Sequence, residues 1–543
     1  MGKAYVNANV ITVDAANPRA RAFTVEGEEF GIVGSCAEVE ERARELGLEV
    51  VDLGGATVVP GFNDAHMHLL NYAYSMSKCH LEGIDSIDGI VQRCRDFVVD
   101  AGLAPGQWLV GCGWNHYFFP EPRFLERTDL DRIATDRPIL LTRICEHTVV
   151  VNSRALEVLG IGDDTPDPAG GEIARDAQGH ATGVLRENAR YLAYAALPAK
   201  SVPEIKDLIV RAMDVLVSLG LTSVQTDDFE TFSDKDWTKV VQAYRELEAE
   251  GRMKLRVYEQ CLLPSRARLS AFIEAGYRTG WGDDLFRIGP LKLLTDGSMG
   301  PRSACFEEPY SDDPGNCGIA VFAPEELNDL VTYAQGNGFQ VACHAIGDRA
   351  MRMVLDAYDA AQRAYPRDDA RNGIVHVQFA APDIFERMLR GGIVGYVQPV
   401  FVQADLHCAE DRVGPERIKY AYRFHSMKKM GIRTALSSDC PIESPSPIDG
   451  MYVAATRTDY NGFPEGGWFP EERIPAEEAI EGYTLDAAYA QFAEGRKGSV
   501  EPGKLADFAV LSADPCSVAP ERLREVGVLE TYLGGRRVFA AEA

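Results

Sequence analysis

The 543-residue sequence predicts an α/β fold: a (β/α)8 TIM-like barrel with a large insertion after strand 1, plus a small β-sandwich domain built from both termini. Three observations carry that reading. Short apolar strand candidates alternate with amphipathic helix candidates, the pattern of a parallel sheet with crossover helices. Eight such strands are found, at 58–64, 221–226, 255–262, 287–295, 339–344, 373–379, 393–399 and 433–438, and eight units favour a closed ring over an open sheet. The two ends of the chain share a different texture, short alternating strands broken by glycine and acidic turns.

In chain order, residues 4–13, 23–25 and 30–34 alternate in strand fashion, and the tail repeats this at 507–511 and 528–533. Neither end has enough apolar surface to stand alone, so 1–57 and 496–543 are expected to pair into one composite β-sandwich domain. Residues 58–495 hold the barrel. After its fifth strand, Ala350, Met353, Val354, Ala357 and Ala361 recur at spacings of three and four, the period of a helix with one buried face. Residues 79–200 fit no β/α unit. They carry Pro120, Pro122, Pro138, Pro166, Pro168 and the pair Gly170-Gly171, and are expected to form a lid-like insertion at the barrel mouth.

Composition excludes several classes of function. A formal charge of −27 opposes binding to nucleic acid or anionic membranes, because the long-range field repels phosphate. No apolar stretch approaches the roughly 18 residues of a membrane span, and no signal-peptide pattern opens the chain, so a cytoplasmic protein is expected. The 12 cysteines include no C-x-x-C pair and read as reduced thiols without disulfides. A small molecule is the expected partner, and a homodimer remains open.

The chemistry begins with Asp64-Ala65-His66-Met67-His68. Side chains alternate along a strand, so His66 and His68 share a face and make half of a metal site. In such barrels the chemistry lies at the carboxyl ends of the strands. Polar, metal-competent residues recur there: His66 and His68 end the first strand, Lys292 lies in the fourth, His344 ends the fifth, His376 lies in the sixth and Asp439 ends the eighth. Lys292 is also readable as a barrel-wall lysine paired with a carboxylate such as Asp296. The run from Trp114 to Phe119 is readable either as pocket lining or as packing within the insertion.

These residues, with Gly111-Cys112-Gly113-Trp114, Pro122-Arg123, Asn152-Ser153-Arg154, Gly183-Val184-Leu185-Arg186-Glu187 and the tail motif 498–507, resemble the amidohydrolase superfamily, specifically the amidohydrolase-3 branch that includes N-substituted formamide deformylases. The resemblance implies that His66, His68 and Asp439 hold one divalent metal and His344 and His376 a second. Lys292, carboxylated by carbon dioxide, would bridge them. It further implies a metal-bound hydroxide attacking a non-peptide carbon–nitrogen bond, with Asp439 as the catalytic proton carrier. Imidazole and oxygen donors fit zinc best. The resemblance also implies that His147 faces the site, and Trp114, Asp296 and Arg302 are further candidate substrate contacts. At the usual lysine pKa of about 10.4 only roughly one side chain in a few thousand is neutral at pH 7, so metal binding and carboxylation are expected together. Two other readings remain: a mononuclear metal-dependent deaminase with a structural Lys292, and a non-catalytic small-molecule-binding barrel with a regulatory role.

Overall fold

The computed structural model describes residues 2–145 and 147–542. Eight parallel strands follow one another round a single sheet: Phe62–Met67, Leu221–Thr226, Arg256–Leu262, Phe286–Leu294, Val341–Ala345, Gly373–His376, Val394–Val397 and Thr434–Leu436, called the first to eighth barrel strands below. Just beyond their ends the first and eighth are joined by backbone hydrogen bonds, Asp439 N to His66 O at 2.9 Å and His68 N to Cys440 O at 2.7 Å. Asp64 tightens the same seam by accepting from Ser438 N at 3.2 Å and His66 N at 3.1 Å. Helix Asp348–Ala364 buries Ala350, Met351, Val354, Ala357 and Ala361. The expected period is therefore present with Met351 inside in place of the half-buried Met353.

The first strand departs from the 58–64 expectation. Thr57–Pro60 belongs to a sheet formed by the termini, and the barrel strand starts only at Phe62. The break falls at Gly61, where a Cβ would approach Thr222 Oγ1 to 2.2 Å, so only glycine lets the chain pass that closely from one sheet into the other. Because residues 56–62 are apolar apart from Thr57, nothing in their pattern marks the passage.

The termini form two sheets. One contains Glu29–Gly34, Ala22–Glu26, Lys3–Val6 and Glu49–Asp52; the other contains Arg536–Ala540, Val528–Leu533, Phe508–Leu511, Thr57–Pro60, Asn9–Ile11 and Arg19–Ala20. Both contribute to one apolar cluster, in which Tyr5 stacks on Phe23 at 5.0 Å between centroids and Phe508 on Tyr532 at 4.3 Å. These sheets and the barrel make one compact unit, residues 1–72, 205–229 and 237–543.

A buried ion pair ties tail to barrel within that unit. Arg256, in the third barrel strand, donates from Nε to Asp507 Oδ2 at 2.6 Å and from Nη2 to Asp507 Oδ1 at 2.9 Å. Asp507 also accepts from Gly534 N at 2.8 Å. Removing one partner of such a pair leaves the other charge buried and unpaired. Asp507→Ala is therefore expected to cost about 3–5 kcal/mol in denaturant unfolding; an unchanged unfolding midpoint would contradict this.

Lys497 donates to Ser223 Oγ nearby, and burial pushes its ammonium down to about 7 from 10.5. Between those values the unfolded chain holds a proton that the folded chain has released, so this lysine makes stability rise with pH across that window. Lys497→Met is expected to flatten the slope without loss of stability at pH 7. Equal slopes for the two proteins would contradict the assignment.

The insertion is more ordered than its sequence suggests. Residues 73–204, with 230–236, form their own compact unit around a six-stranded sheet in the order Gly171–Arg175, Ala181–Glu187, Thr148–Val151, Ile139–Arg143, Leu109–Trp114 and Cys79–His80. Both faces are covered: Ile139, Leu141 and Val150 point into one apolar cluster, and Leu140, Val149 and Val151 into another. Strands buried on both faces read as continuous apolar runs without alternation. No described helix is long and apolar enough to cross a membrane.

Candidate metal centre

Each barrel strand sends a side chain, from at or near its carboxyl end, into one connected cluster. His66, within the first strand, and His68, just after it, lie 5.2 Å apart between ring centroids, while Met67 between them is buried on the opposite side. Asp227 follows the second strand and meets His68 Nδ1 through Oδ1. Gln260, from the third, accepts from His66 Nδ1 at 2.7 Å. Lys292, from the fourth, lies 3.0 Å from His66 Nε2 and 3.7 Å from Asp227 Oδ2. His344 and His376, from the fifth and sixth, are 4.4 Å apart between centroids, and His376 is 6.0 Å from His66. Gln398, after the seventh, accepts from His376 Nδ1 at 2.8 Å. Asp439, after the eighth, presents Oδ1 to His66 Nε2 at 3.2 Å and His68 Nε2 at 3.0 Å.

The tautomers follow from these contacts. Gln260 Nε2 donates to Ala65 O and Gln398 Nε2 to Ser437 Oγ, so each amide oxygen faces its histidine. Nδ1 of His66 and of His376 therefore carries a proton, and Asp227 holds a proton on Nδ1 of His68 in the same way, which makes Nε2 the atom that each of the three turns to the centre. His344 is reversed: its Nε2 lies 3.1 Å from Gly297 O and 3.3 Å from Asp296 Oδ1, which leaves Nδ1 as its donor atom.

Nε2 of His66 and Nε2 of His68 thus face one carboxylate oxygen, an arrangement that needs positive charge, a proton or a metal ion, between the three. A tetrahedral cation with bonds of about 2.0–2.1 Å spaces its ligand atoms about 3.3–3.5 Å apart. The ligand atoms of His66, His68 and Asp439 lie within 4.8 Å of one another, at close to that spacing. Asp227 Oδ2, buried beside them, meets no hydrogen-bond donor among the described residues and faces Lys292 Nζ across 3.7 Å. The donor set fits a divalent cation.

Burial would raise Asp439, but its contacts with His66 and His68 outweigh it and hold the carboxylate well below its usual range. Burial likewise opposes charge on His68, yet Asp227 and Asp439 push that imidazole up to about 10. Burial, reinforced by Lys292, keeps His66 below its ordinary value, and burial with His344 alongside keeps His376 well below. Burial also lowers Lys292 against the pull of Asp227 and Asp439. His376 and Asp439 adopt positive φ of 84° and 58°, strained backbone at the site itself.

A sequence model of the amidohydrolase family, of the amidohydrolase-3 branch, matches residues 49–539, which include every member of the cluster. The chain belongs to the amidohydrolase family. This amidohydrolase is 32% identical to the amidohydrolase YtcJ of Bacillus subtilis over 98% of each chain. It is also 32% identical to the N-substituted formamide deformylase of Arthrobacter pascens, over 98% of this chain and 97% of that one. The crystal structure of an uncharacterized metal-dependent hydrolase from Pyrococcus furiosus aligns with a TM-score of 0.81 and 29% identity, covering 95% of this chain and 100% of the other.

The other expected substrate contacts of this amidohydrolase have different settings. Trp114 is fully buried in the insertion's own core, with Nε1 donating to Leu141 O at 3.2 Å, so its indole fills that core and is closed to substrate. Asp296 accepts from the backbone N–H groups of Cys305, Ile346 and Gly347; it fixes the loops after the fourth and fifth strands and is not the partner of Lys292, a place Asp227 takes. Arg302 is committed to Asp312 through bonds of 3.0 and 2.8 Å. His147, half-exposed in the insertion, pairs with Glu187 at 2.9 Å. Asp227, Gln260 and Gln398 carry no sequence motif, but their position at strand ends is the same signal that marked the histidines.

Proposed function

We propose that this amidohydrolase cleaves a non-peptide carbon–nitrogen bond in a small molecule, with N-substituted formamides as the first class to test. The observation that carries the reading is the meeting of His66 Nε2, His68 Nε2 and Asp439 Oδ1 at one point. His66, His68 and Asp439 would hold one divalent metal, with zinc the best match to their nitrogen and oxygen donors, and His344 and His376 a second. Lys292, as a carbamate, would join the two. When bound, such metals polarise a carbonyl and bring the pKa of water from about 15.7 to about 7.

The chain's own residues would do the rest. Gln260 and Gln398 keep the proton on Nδ1 of His66 and His376 and so hold both rings in ligating orientation. Phe401, stacked on His376 at 5.8 Å, shields one face of that ring from water. Asp439 takes a proton from the attacking water and passes it to the leaving nitrogen, so a formamide and water become formate and an amine. The formamide assignment is supported by the name of the Arthrobacter pascens relative.

The test is a panel of N-substituted formamides, small lactams, N-acyl amines, esters and amino-substituted heterocycles, scored before and after chelation and zinc return. Equal release of formate and amine, lost on chelation and restored by zinc, is expected. Release of ammonia from a ring amine would instead select the deaminase reading, and no turnover by zinc-loaded protein on any substrate would remove the hydrolytic one.

A further inference from the structure

We infer that the insertion carries a second, separate zinc-class site formed by His80, Glu82 and Cys112. The topology puts these three donors together. Cys79–His80 is the edge strand of the six-stranded sheet, paired in parallel with Leu109–Trp114 in a register that sets Cys112 opposite His80 and Gly111 opposite Cys79. Residues directly opposite one another share a face of the sheet, and the residue two places on from His80 returns to that face. Leu81 N donates to Cys112 O at 2.9 Å, which extends the pairing and brings Glu82 alongside. Gly113 completes the cradle. It has a φ of 90°, and a Cβ there would approach the Glu82 carboxylate oxygen to 2.1 Å, so the absence of a side chain is what admits the acid.

The donor atoms are oriented as well as adjacent. His80 Nε2 donates to the carbonyl of Ser75 at 3.1 Å, which places the imidazole proton there and leaves Nδ1 with its lone pair turned inward. That Nδ1 lies 3.4 Å from Glu82 Oε2 and 3.9 Å from Cys112 Sγ, and the three ligand atoms are within 4.8 Å of one another. Zinc bonds of about 2.0–2.3 Å to oxygen, nitrogen and sulfur put tetrahedral ligands about 3.3–3.8 Å apart, so both distances from His80 Nδ1 are already near that spacing and a bound ion would draw the three atoms together. A nitrogen, an oxygen and a sulfur donor with the fourth position open to water suit zinc among the abundant divalent ions. On binding, the Cys112 thiol gives its proton to solvent and its sulfur becomes a thiolate ligand. The cation would pin the edge strand, whose ladder to its neighbour is short.

An ordinary alternative exists for two of the three. An exposed His80–Glu82 ion pair contributes little by itself, and Cys112 Sγ would then only neighbour His80 Nδ1 at 3.9 Å.

Cobalt distinguishes the two, because the barrel cluster offers only nitrogen and oxygen donors whereas this site adds a thiolate. The full-length protein is titrated with cobalt chloride under reducing conditions, and the thiolate-to-cobalt charge-transfer band in the near ultraviolet is recorded. The expected result is a saturable band, absent from Cys112→Ser, weakened in His80→Gln, and retained when the barrel cluster is disabled by His66→Ala. A wild-type protein with its thiols reduced that shows no such band at saturating cobalt would overturn the proposal. So would a folded Cys112→Ser protein that keeps the band in full, since another thiol would then be its source.

Discussion

Asp439→Asn is expected to lower kcat by about a thousandfold, within the 10²–10⁴ range that a positioned general base supplies. The substitution keeps the shape of the side chain and removes its charge. In the native protein one oxygen, Oδ1, serves both His66 Nε2 and His68 Nε2, and the histidines in turn hold the carboxylate well below its usual range. An amide there cannot accept the water proton and gives up the negative charge that balances a cation. Two readouts should move together: kcat falls, and metal content measured by elemental analysis falls with it. Asp227→Asn makes the useful comparison, because Asp227 orients His68 through Nδ1 and leaves the Nε2 side of the ring to the centre. It should weaken metal binding by about 10–100-fold, the usual cost of losing a partner that orients a ligand. Normal turnover in Asp439→Asn would take that residue out of the proton path.

Lys292→Ala should lose metal and activity together, with part of both restored by added short-chain carboxylic acids. Lys292 is completely buried among His66, Asp227 and Asp439, and burial moves it toward the neutral amine that carbon dioxide can capture. Carboxylation exchanges a cation for an anion at the point where a pair of dications would repel an ammonium. A small carboxylate diffusing into the space left by the lysine can supply that charge. A variant that retained two metals and normal turnover would eliminate the bridging role, and loss of activity with full metal content and no rescue would make Lys292 a positioning residue instead.

The parts of the site that could be read from the sequence were those that chemistry marks twice, by residue type and by place. His66, His68, Lys292, His344, His376 and Asp439 are metal-competent and stand at or near strand ends, so a strand pattern and a list of ligand types locate them. Gln260 and Gln398 satisfy only the second condition. Their part is to hold a histidine tautomer, a task invisible until the ring they face is known. Asp227 meets both conditions, and its part appears only in the structure because its partners His68 and Lys292 are distant in sequence. The barrel was legible because its strands alternate with helices of clear period. The insertion was not, because strands such as Ile139–Arg143 and Thr148–Val151 are covered on both faces and show no alternation. The start of the first barrel strand was hidden inside an unbroken apolar run, where only the crowding of Gly61 against Thr222 separates two sheets.

The most direct test of the account is a crystal structure of the protein prepared with zinc and bicarbonate, with anomalous scattering collected at the zinc edge. The account predicts two peaks within the barrel cluster, one flanked by His66, His68 and Asp439 and one by His344 and His376, with carbamate density extending from Lys292 between them. No anomalous peak among those side chains, in protein exposed to excess zinc, would contradict it.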